Sequence, residues 1–270
     1  MSSSVVSARP AISRRGFDPL AAAATFWFCA VAAGQSAFFV YIAGFYGPSV
    51  ASGDYALWAR NKMLGHGYVA GDETGNALFA SHVMLAAVLT FGGLLQLIPG
   101  VRKRAPALHR WTGRVFVVAA LVAAIGGTVL VWHRHTAESN LVNDVGITGN
   151  AIAILVCAGF AWRTAVARNF AQHQAWAMRL FLVVSGVWFL RVGMMAWGIA
   201  GQGWGMATFF DLWVFGSYVV PLALYEVYRR ARVGSAAARA GTTAMLVTTG
   251  LIILAGSSAA AAFMWAPLLV

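Results

Sequence analysis

Long apolar runs, separated by short polar stretches, extend from about residue 20 to the end of the chain. A helix that crosses a bilayer needs about 20 consecutive, mostly apolar residues. Runs of this length predict seven spanning helices, at residues 20–45, 78–99, 112–132, 145–166, 177–199, 210–228 and 243–266. The predicted fold class is therefore all-α, a single integral-membrane bundle over residues 20–270 that follows an N-terminal tail of residues 1–19.

Composition supports this prediction and excludes the soluble classes of protein. Of the 270 residues, 60% are hydrophobic and 10% are charged, whereas soluble domains carry about 25% charged residues. A soluble fold of this length could not cover so much apolar surface with so few polar groups. The net charge of +11 would suggest a nucleic-acid partner for a soluble protein, but its distribution here follows membrane topology, and no nucleic-acid partner is expected.

The distribution of Lys and Arg predicts the orientation of the chain. Cytoplasmic loops retain basic residues. Here the basic residues cluster before the first span and between spans two and three, four and five, and six and seven. The exceptions are Arg60, Lys62, Arg134 and Arg191. We therefore expect a cytoplasmic N-terminus, an external C-terminus and multi-pass insertion in a bacterial inner membrane, with the lipid bilayer as the principal partner.

Two segments near the start of the chain allow a further prediction each. Residues 13–17 resemble a twin-arginine export signal, but the apolar run continues to Ile42, which favours an uncleaved first span. The polar stretch 47–77 is long enough for a short interfacial helix on the outer surface, with Trp58 at headgroup level.

The histidines, sorted by depth, carry the candidate chemistry. His109 and His173 lie at the inner ends of the third and fifth spans. His82 lies about one turn inside the outer end of the second span, and His133 and His135 lie at the outer end of the third. At most one of the last two can face the bundle, because they are about 200° apart around a helix.

The two inner histidines have matching surroundings. Each is followed by an aromatic residue two or three positions on and by an arginine five or six positions on: Trp111 and Arg114 after His109, Trp176 and Arg179 after His173. The match indicates either an internal repeat of two helical hairpins or the ordinary enrichment of basic and aromatic residues at a cytoplasmic interface.

Taken in order, these motifs resemble a bacterial family of predicted membrane proteins, the domain of unknown function twenty-three-zero-six. The residues that carry the resemblance are His82, Gln96-Leu97-Ile98-Pro99, His109-Arg110-x-x-Gly113-Arg114, His173-x-x-Trp176-x-Met178-Arg179 and Arg191. The resemblance covers roughly residues 78–195, and this chain has Gln174 where the family usually has arginine. It implies a multi-pass membrane fold and brings no established activity.

The histidine positions are also similar, more loosely, to those of di-haem membrane cytochromes of the b type. Such bundles hold one haem near each membrane face, ligated by two histidines on different helices. The likeness implies an inner pair of metal ligands, His109 and His173, and an outer pair, His82 with His133 or His135.

Polar residues within the spans extend the candidate site. His82 and Gln96 share one face of the second span, and exposing them to lipid would be costly, so this face is expected to look into the bundle. Arg191 follows Arg179 by 12 residues, which places it about 18 Å deeper in the membrane. Its expected partner is a haem propionate, an anionic substrate, helix carbonyls or Asp211, unless it snorkels to the outer interface.

The leading interpretation is a membrane-embedded redox protein that binds haem b and transfers electrons across or within the membrane, with quinone as a candidate partner. The chemistry is expected in spans two to five, with Gln96 beside the cofactor and the sixth and seventh spans peripheral. The arginines expected to neutralise haem propionates or an anionic substrate are Arg110, Arg114, Arg179 and Arg191. One alternative is a small-solute or lipid transporter with His82, Gln96 and Arg191 along a polar pathway. Another is a non-catalytic subunit of a larger membrane complex.

Overall fold

The computed structural model describes residues 17–61, 67–135, 140–201 and 205–270, and within these residues the chain is helical with no β-strand. The residues of the twin-arginine-like segment before Phe17 lie outside the described part. The helices are α1 (Pro19–Tyr41), α2 (Gly47–Ser52), α3 (Glu73–Leu97), α4 (Pro99–Arg104), α5 (Pro106–His133), α6 (Leu141–Val166), α7 (Phe170–Val184), α8 (Gly186–Ala200), α9 (Met206–Ala231) and α10 (Ala236–Ala259). Short π-helical segments, Ile42–Tyr46 and Ala260–Trp265, extend α1 and α10.

The predicted spans are confirmed by length and composition. Six continuous helical stretches of the described chain are long and apolar enough to cross a membrane, and α7 with α8 supplies a seventh. The stretches extend past the predicted ends because capping residues lie outside the apolar runs. Asp18, for example, accepts a hydrogen bond from the Leu20 backbone N–H at 3.0 Å and begins α1 directly before Pro19.

The fifth span is broken rather than continuous. α7 and α8 meet at Ser185 with a bend of 53°. The Ser185 hydroxyl donates to the Phe181 carbonyl at 2.7 Å and accepts a hydrogen bond from Gln35 Nε2 at 2.7 Å. A serine that bonds to the preceding turn and is followed by glycine, here Gly186, is a common cause of a kink. His173 of α7 and Arg191 of α8 therefore lie on two segments of one span that differ in direction.

This broken span runs through the centre of the bundle. The four consecutive residues from Leu180 to Val183 are each at most 4% exposed, and four successive helical residues point in all directions around the axis. α6 and α9 pack against α7, while α9 and α10 pack against α8. The seventh span is not peripheral, since α10 also packs along α1 and its Gly256 lies directly against the Val192 carbonyl of α8.

α5 shows which surface meets lipid. Its exposed large side chains form one continuous stripe: Trp111, Val115, Val118, Val122, Ile125, Val129 and Trp132. The two tryptophans are separated by 21 residues, or about 32 Å of helix, which matches the hydrocarbon core of about 30 Å. Tryptophan favours both membrane interfaces, so the stripe marks the depth of the bilayer along this helix.

The outer polar stretch contains a 3₁₀ helix, Tyr55–Arg60, which includes Trp58. Trp58 is 1% exposed, and its Nε1 donates a hydrogen bond to the Ser49 hydroxyl. Its ring also contacts those of Tyr46 and Phe79. The stretch thus folds back onto the ends of the first and second spans, where the Trp58 ring is buried among protein side chains; its depth relative to the headgroups stays a prediction.

Candidate functional site

The two histidines predicted as the inner pair occupy equivalent positions at the starts of α5 and α7. Each is the fourth residue of its helix, since α5 begins at Pro106 and α7 at Phe170. Both helices begin on the side of the bundle on which α1 begins, called here the N-terminal side. Both helices also pack against α6. The structure therefore places the predicted pair at the same end of the bundle, and their joint ligation of a haem stays a prediction.

The ring nitrogens of the two histidines differ in their hydrogen bonds. His173 Nδ1 lies 3.0 Å from the Ala161 carbonyl of α6, so this nitrogen carries the proton and Nε2 has the free lone pair. His109 Nδ1 is buried without a hydrogen-bond partner among the described residues. A buried imidazole nitrogen that lacks a partner is costly and is available to a ligand.

The predicted arginines on the N-terminal side differ in their surroundings. Arg110 directly follows His109 in α5, and the neighbouring Arg102 belongs to α4, which packs against α5. Arg114 instead stacks on the Trp111 ring, with its Cζ 5.2 Å from the ring centroid. The charge of Arg179 is already neutralised by a carboxylate.

Arg179 forms an ion pair with Glu226 of α9 at 2.7 Å and lies over the Trp176 ring at 4.4 Å. Its side chain is 16% exposed. This carboxylate ties α7 to α9 on the N-terminal side and takes the place that the sequence assigned to a propionate.

His82 and Gln96 both face α5, which confirms that their shared helix face looks into the bundle. The His82 ring packs directly on Gly127, and its buried Nδ1 has no hydrogen-bond partner in the described chain. Gln96 Nε2 lies 2.5 Å from the Thr112 hydroxyl. The two residues thus lie near opposite ends of the α3–α5 contact.

The histidines at the far end of α5 are paired with carboxylates. His133 Nε2 lies 3.1 Å from Asp72, and His135 Nδ1 lies 2.5 Å from Asp144. The hydrogen bond from His133, the Gly75 backbone N–H and Arg134 together lower the pKa of Asp72 to about 2. Asp72 therefore fastens the start of α3 to the end of α5. An outer ligand pair of His82 and His133 would have to use His133 Nδ1 or displace this carboxylate.

Among the described residues, Arg191 satisfies only part of its hydrogen-bonding capacity. Its Nη1 donates to the Val187 carbonyl at 2.9 Å, and its Cζ lies 5.5 Å from the centre of the Phe38 ring. Of the predicted partners, helix carbonyls are therefore the ones it contacts. Asp211 accepts a hydrogen bond from Asn140 instead, and within the described residues no carboxylate forms an ion pair with Arg191.

Sequence reasoning missed the polar residues that the first span brings to the interior. Gln35 is 2% exposed and bonds to Ser185 at the break. Tyr41 accepts a hydrogen bond from Asn61 Nδ2 at 2.8 Å, and its hydroxyl lies 3.2 Å from that of Tyr46. The signal was present, because Gln35 is an amide within an otherwise apolar run.

A known protein family matches the part of the chain that contains most of these residues. Residues 79–228 match the family described as predicted membrane protein (DUF2306). The chain belongs to this family. The match begins within α3 and ends within α9, so it includes every candidate histidine and arginine named above and extends beyond the predicted limit at residue 195. No curated protein and no solved structure matches the chain.

Proposed function

We propose that the protein is a membrane-embedded redox protein of the haem b type, in which His109 and His173 are the axial ligands of one haem near the N-terminal side. The observation that carries the proposal is that two imidazoles on different helices lie at the same end of the bundle, and that the buried Nδ1 of His109 has no hydrogen-bond partner in the described chain. Haem supplies one-electron redox chemistry, with the porphyrin as its equatorial ligand set.

The surroundings of the pair suit axial ligation. A ligating histidine usually donates its other ring N–H to a backbone carbonyl or carboxylate, which fixes the tautomer and the ring orientation. The Ala161 carbonyl does this for His173. Among the described residues there is no group of three or more His, Cys, Asp or Glu side chains that could hold a metal ion. A pair of axial ligands is therefore a better fit than a bare metal centre.

The arginines of the site would supply the positive charge that haem propionates need. Arg110, next to His109 in α5, and Arg102 on the adjoining α4 would neutralise propionates, whereas Arg179 is committed to Glu226. The basic residues on the N-terminal side favour its placement in the cytoplasm of a bacterium and the protein in the inner membrane. We infer that electrons are exchanged with a membrane-soluble carrier such as quinone.

The experiment is the absorption spectrum of the protein purified in mild detergent, for the wild type and for His109→Ala and His173→Ala. Both substitutions should remove a similar share of the haem absorbance, because each leaves the iron with one protein ligand. Gln174→Ala, at the exposed position next to His173, is the matched control and should leave the absorbance unchanged. Absence of haem from the wild type, or intact spectra in both inner variants, would refute the proposal.

Transport of a small solute is the second candidate function, and the broken fifth span favours it. Broken helices near mid-membrane line the sites of many transporters. Here Gln35 and Arg191 both lie close to the break at Ser185. The test is labelling of Arg191→Cys with a water-soluble thiol reagent, with Cys29 and Cys157 replaced by Ala. Labelling from one side only would support a water-filled pathway, and no labelling from either side would exclude it.

A further inference from the structure

We propose that the guanidinium group of Arg191 binds a monovalent carboxylate inside the bundle, where α8 faces α1. The inference rests on the second candidate function, transport of a small solute, and names the chemical class of that solute. It does not depend on haem.

The Arg191 side chain is directed toward the middle of its span. Its Nη1 donates to the Val187 carbonyl, in the preceding turn of α8, at 2.9 Å. Val187 lies two residues after the break at Ser185. A side chain that reached for the outer interface would extend the other way, toward Ala200. The charge is therefore turned back toward the break, where it is costly unless it is paired or hydrated.

No carboxylate of the described chain neutralises this charge. Arg191 is absent from the ion pairs of these residues, and its Cζ lies 5.5 Å from the centre of the Phe38 ring of α1. A guanidinium group carries five N–H donors, and the Val187 carbonyl accepts from one nitrogen. Because the side chain is half-buried, its remaining donors are accessible to a ligand.

The same faces of α1 and α8 carry a second unsatisfied donor. Phe38 contacts Arg191, and one turn earlier a Cβ at Gly34 would lie 2.6 Å from the Trp188 ring. Helical residues three or four apart are neighbours on one face, so Trp188 and Arg191 are directed together toward α1. Trp188 is 1% exposed, and its Nε1 has no hydrogen-bond partner among the described residues.

The unsatisfied groups around this contact select an acceptor. In α1, α8 and α10 with its π-helical extension, the buried side-chain atoms that lack a partner in the described chain are the indole nitrogens of Trp27, Trp188 and Trp265 and the hydroxyl of Ser257. An indole N–H can only donate, and a hydroxyl can donate. A ligand that satisfies such groups must offer acceptor atoms, and the adjacent guanidinium favours one with negative charge.

Carboxylate fits these donors better than other anions. Its two oxygens accept two parallel hydrogen bonds from the guanidinium fork, which a spherical anion cannot do. A single charge also costs less to remove from water than the double charge of a phosphate.

Thermal unfolding of the detergent-solubilised protein in acetate and in acetamide, at constant ionic strength, tests the proposal. Acetamide has nearly the shape of acetate without its charge. A ligand that binds only the folded state raises the melting temperature as its concentration increases, so acetate should raise that of the wild type and acetamide should not. Octanoate and octanamide are compared in the same way. A rise with octanoate alone would assign the site to a carboxylate that enters from the bilayer rather than from water.

Three variants assign the effect to the proposed donors. Arg191→Gln should lower the affinity for the carboxylate about tenfold or more, because it removes hydrogen bonds to a charged group. Arg191→Lys should restore part of that loss, since it keeps the charge without the fork. Trp188→Phe keeps a ring in place but lacks the N–H, and it should also weaken binding.

Arg163→Gln, at an exposed position of α6, is the matched control and should respond as the wild type does. A wild type that responds to neither carboxylate, or equally to each carboxylate and its amide, would overturn the proposal. So would a full response in Arg191→Gln or an equal loss in Arg163→Gln. If Arg191→Gln does not fold, Arg191→Lys and Trp188→Phe decide. Carboxylate binding without labelling of Arg191→Cys would uphold the anion site and exclude the transport pathway.

Discussion

The contact between His82 and Gly127 makes a quantitative prediction about the packing of α3 on α5. A Cβ at position 127 would lie 2.8 Å from His82 Cε1, whereas a Cβ at the adjacent Gly126 would meet nothing within 4 Å. Carbon atoms in contact are about 3.5–4.0 Å apart, so Gly127→Ala creates an overlap of about 0.7 Å or more. Overpacking of this kind costs about 1–3 kcal/mol.

Gly126→Ala is the matched control for this change. Replacing glycine by alanine within a helix also stabilises the helix by up to about 1 kcal/mol, and this gain applies equally at the two positions. The difference between the variants therefore isolates the steric term. In thermal or denaturant unfolding of the detergent-solubilised protein, Gly127→Ala should be less stable than Gly126→Ala by about 1–3 kcal/mol.

A double-mutant cycle assigns the cost to His82. In a His82→Ala background the overlapping ring is gone, so Gly127→Ala should become as harmless as Gly126→Ala. Residues in contact show such non-additive effects. Equal stability of the two single glycine variants, or strictly additive effects with His82→Ala, would refute the close packing of this imidazole on α5.

Three further predictions concern the ends of the bundle. Because the pKa of Asp72 is lowered from 3.8 to about 2, its stabilising contribution is complete above pH 3.8 and is lost as the pH falls toward 2. The melting temperatures of wild type and Asp72→Asn should therefore converge over that interval, and a constant difference would contradict the pairing. Ser49→Ala should destabilise the protein by about 1–3 kcal/mol, since it leaves the buried Trp58 Nε1 unpaired, while Ser36→Ala, at an exposed site, should not. Labelling of Arg230→Cys should require permeabilised cells and labelling of Glu73→Cys should not; the reverse result would overturn the proposed orientation.

The spans and the inward-facing stripe were predictable because they follow from local rules. A bilayer admits only long apolar helices, so run length locates each span. The spacing of His82 and Gln96 identifies a common face whatever the neighbouring helix is. The fourth-residue positions of His109 and His173 likewise follow from Pro106 and Asn169 at the helix starts.

The partners of polar residues were not predictable, since they depend on contacts distant in sequence. Arg179 is paired with Glu226, 47 residues away, and Gln35 with Ser185, 150 residues away. The break in the fifth span could not be recognised from hydropathy either. The Ser185–Gly186 pair barely lowers the mean hydropathy of the apolar run in which it lies. Only packing around the central span makes a kink there favourable.

Electron paramagnetic resonance of the oxidised protein tests the central claim, that His109 and His173 are the axial ligands of one haem, most directly. Two imidazoles give a strong axial field, so the wild type should show the spectrum of low-spin ferric haem. His173→Ala leaves one protein ligand, and any haem that it retains should become high-spin. A wild-type protein that binds no haem, or a low-spin spectrum unchanged in both His109→Ala and His173→Ala, would contradict the account.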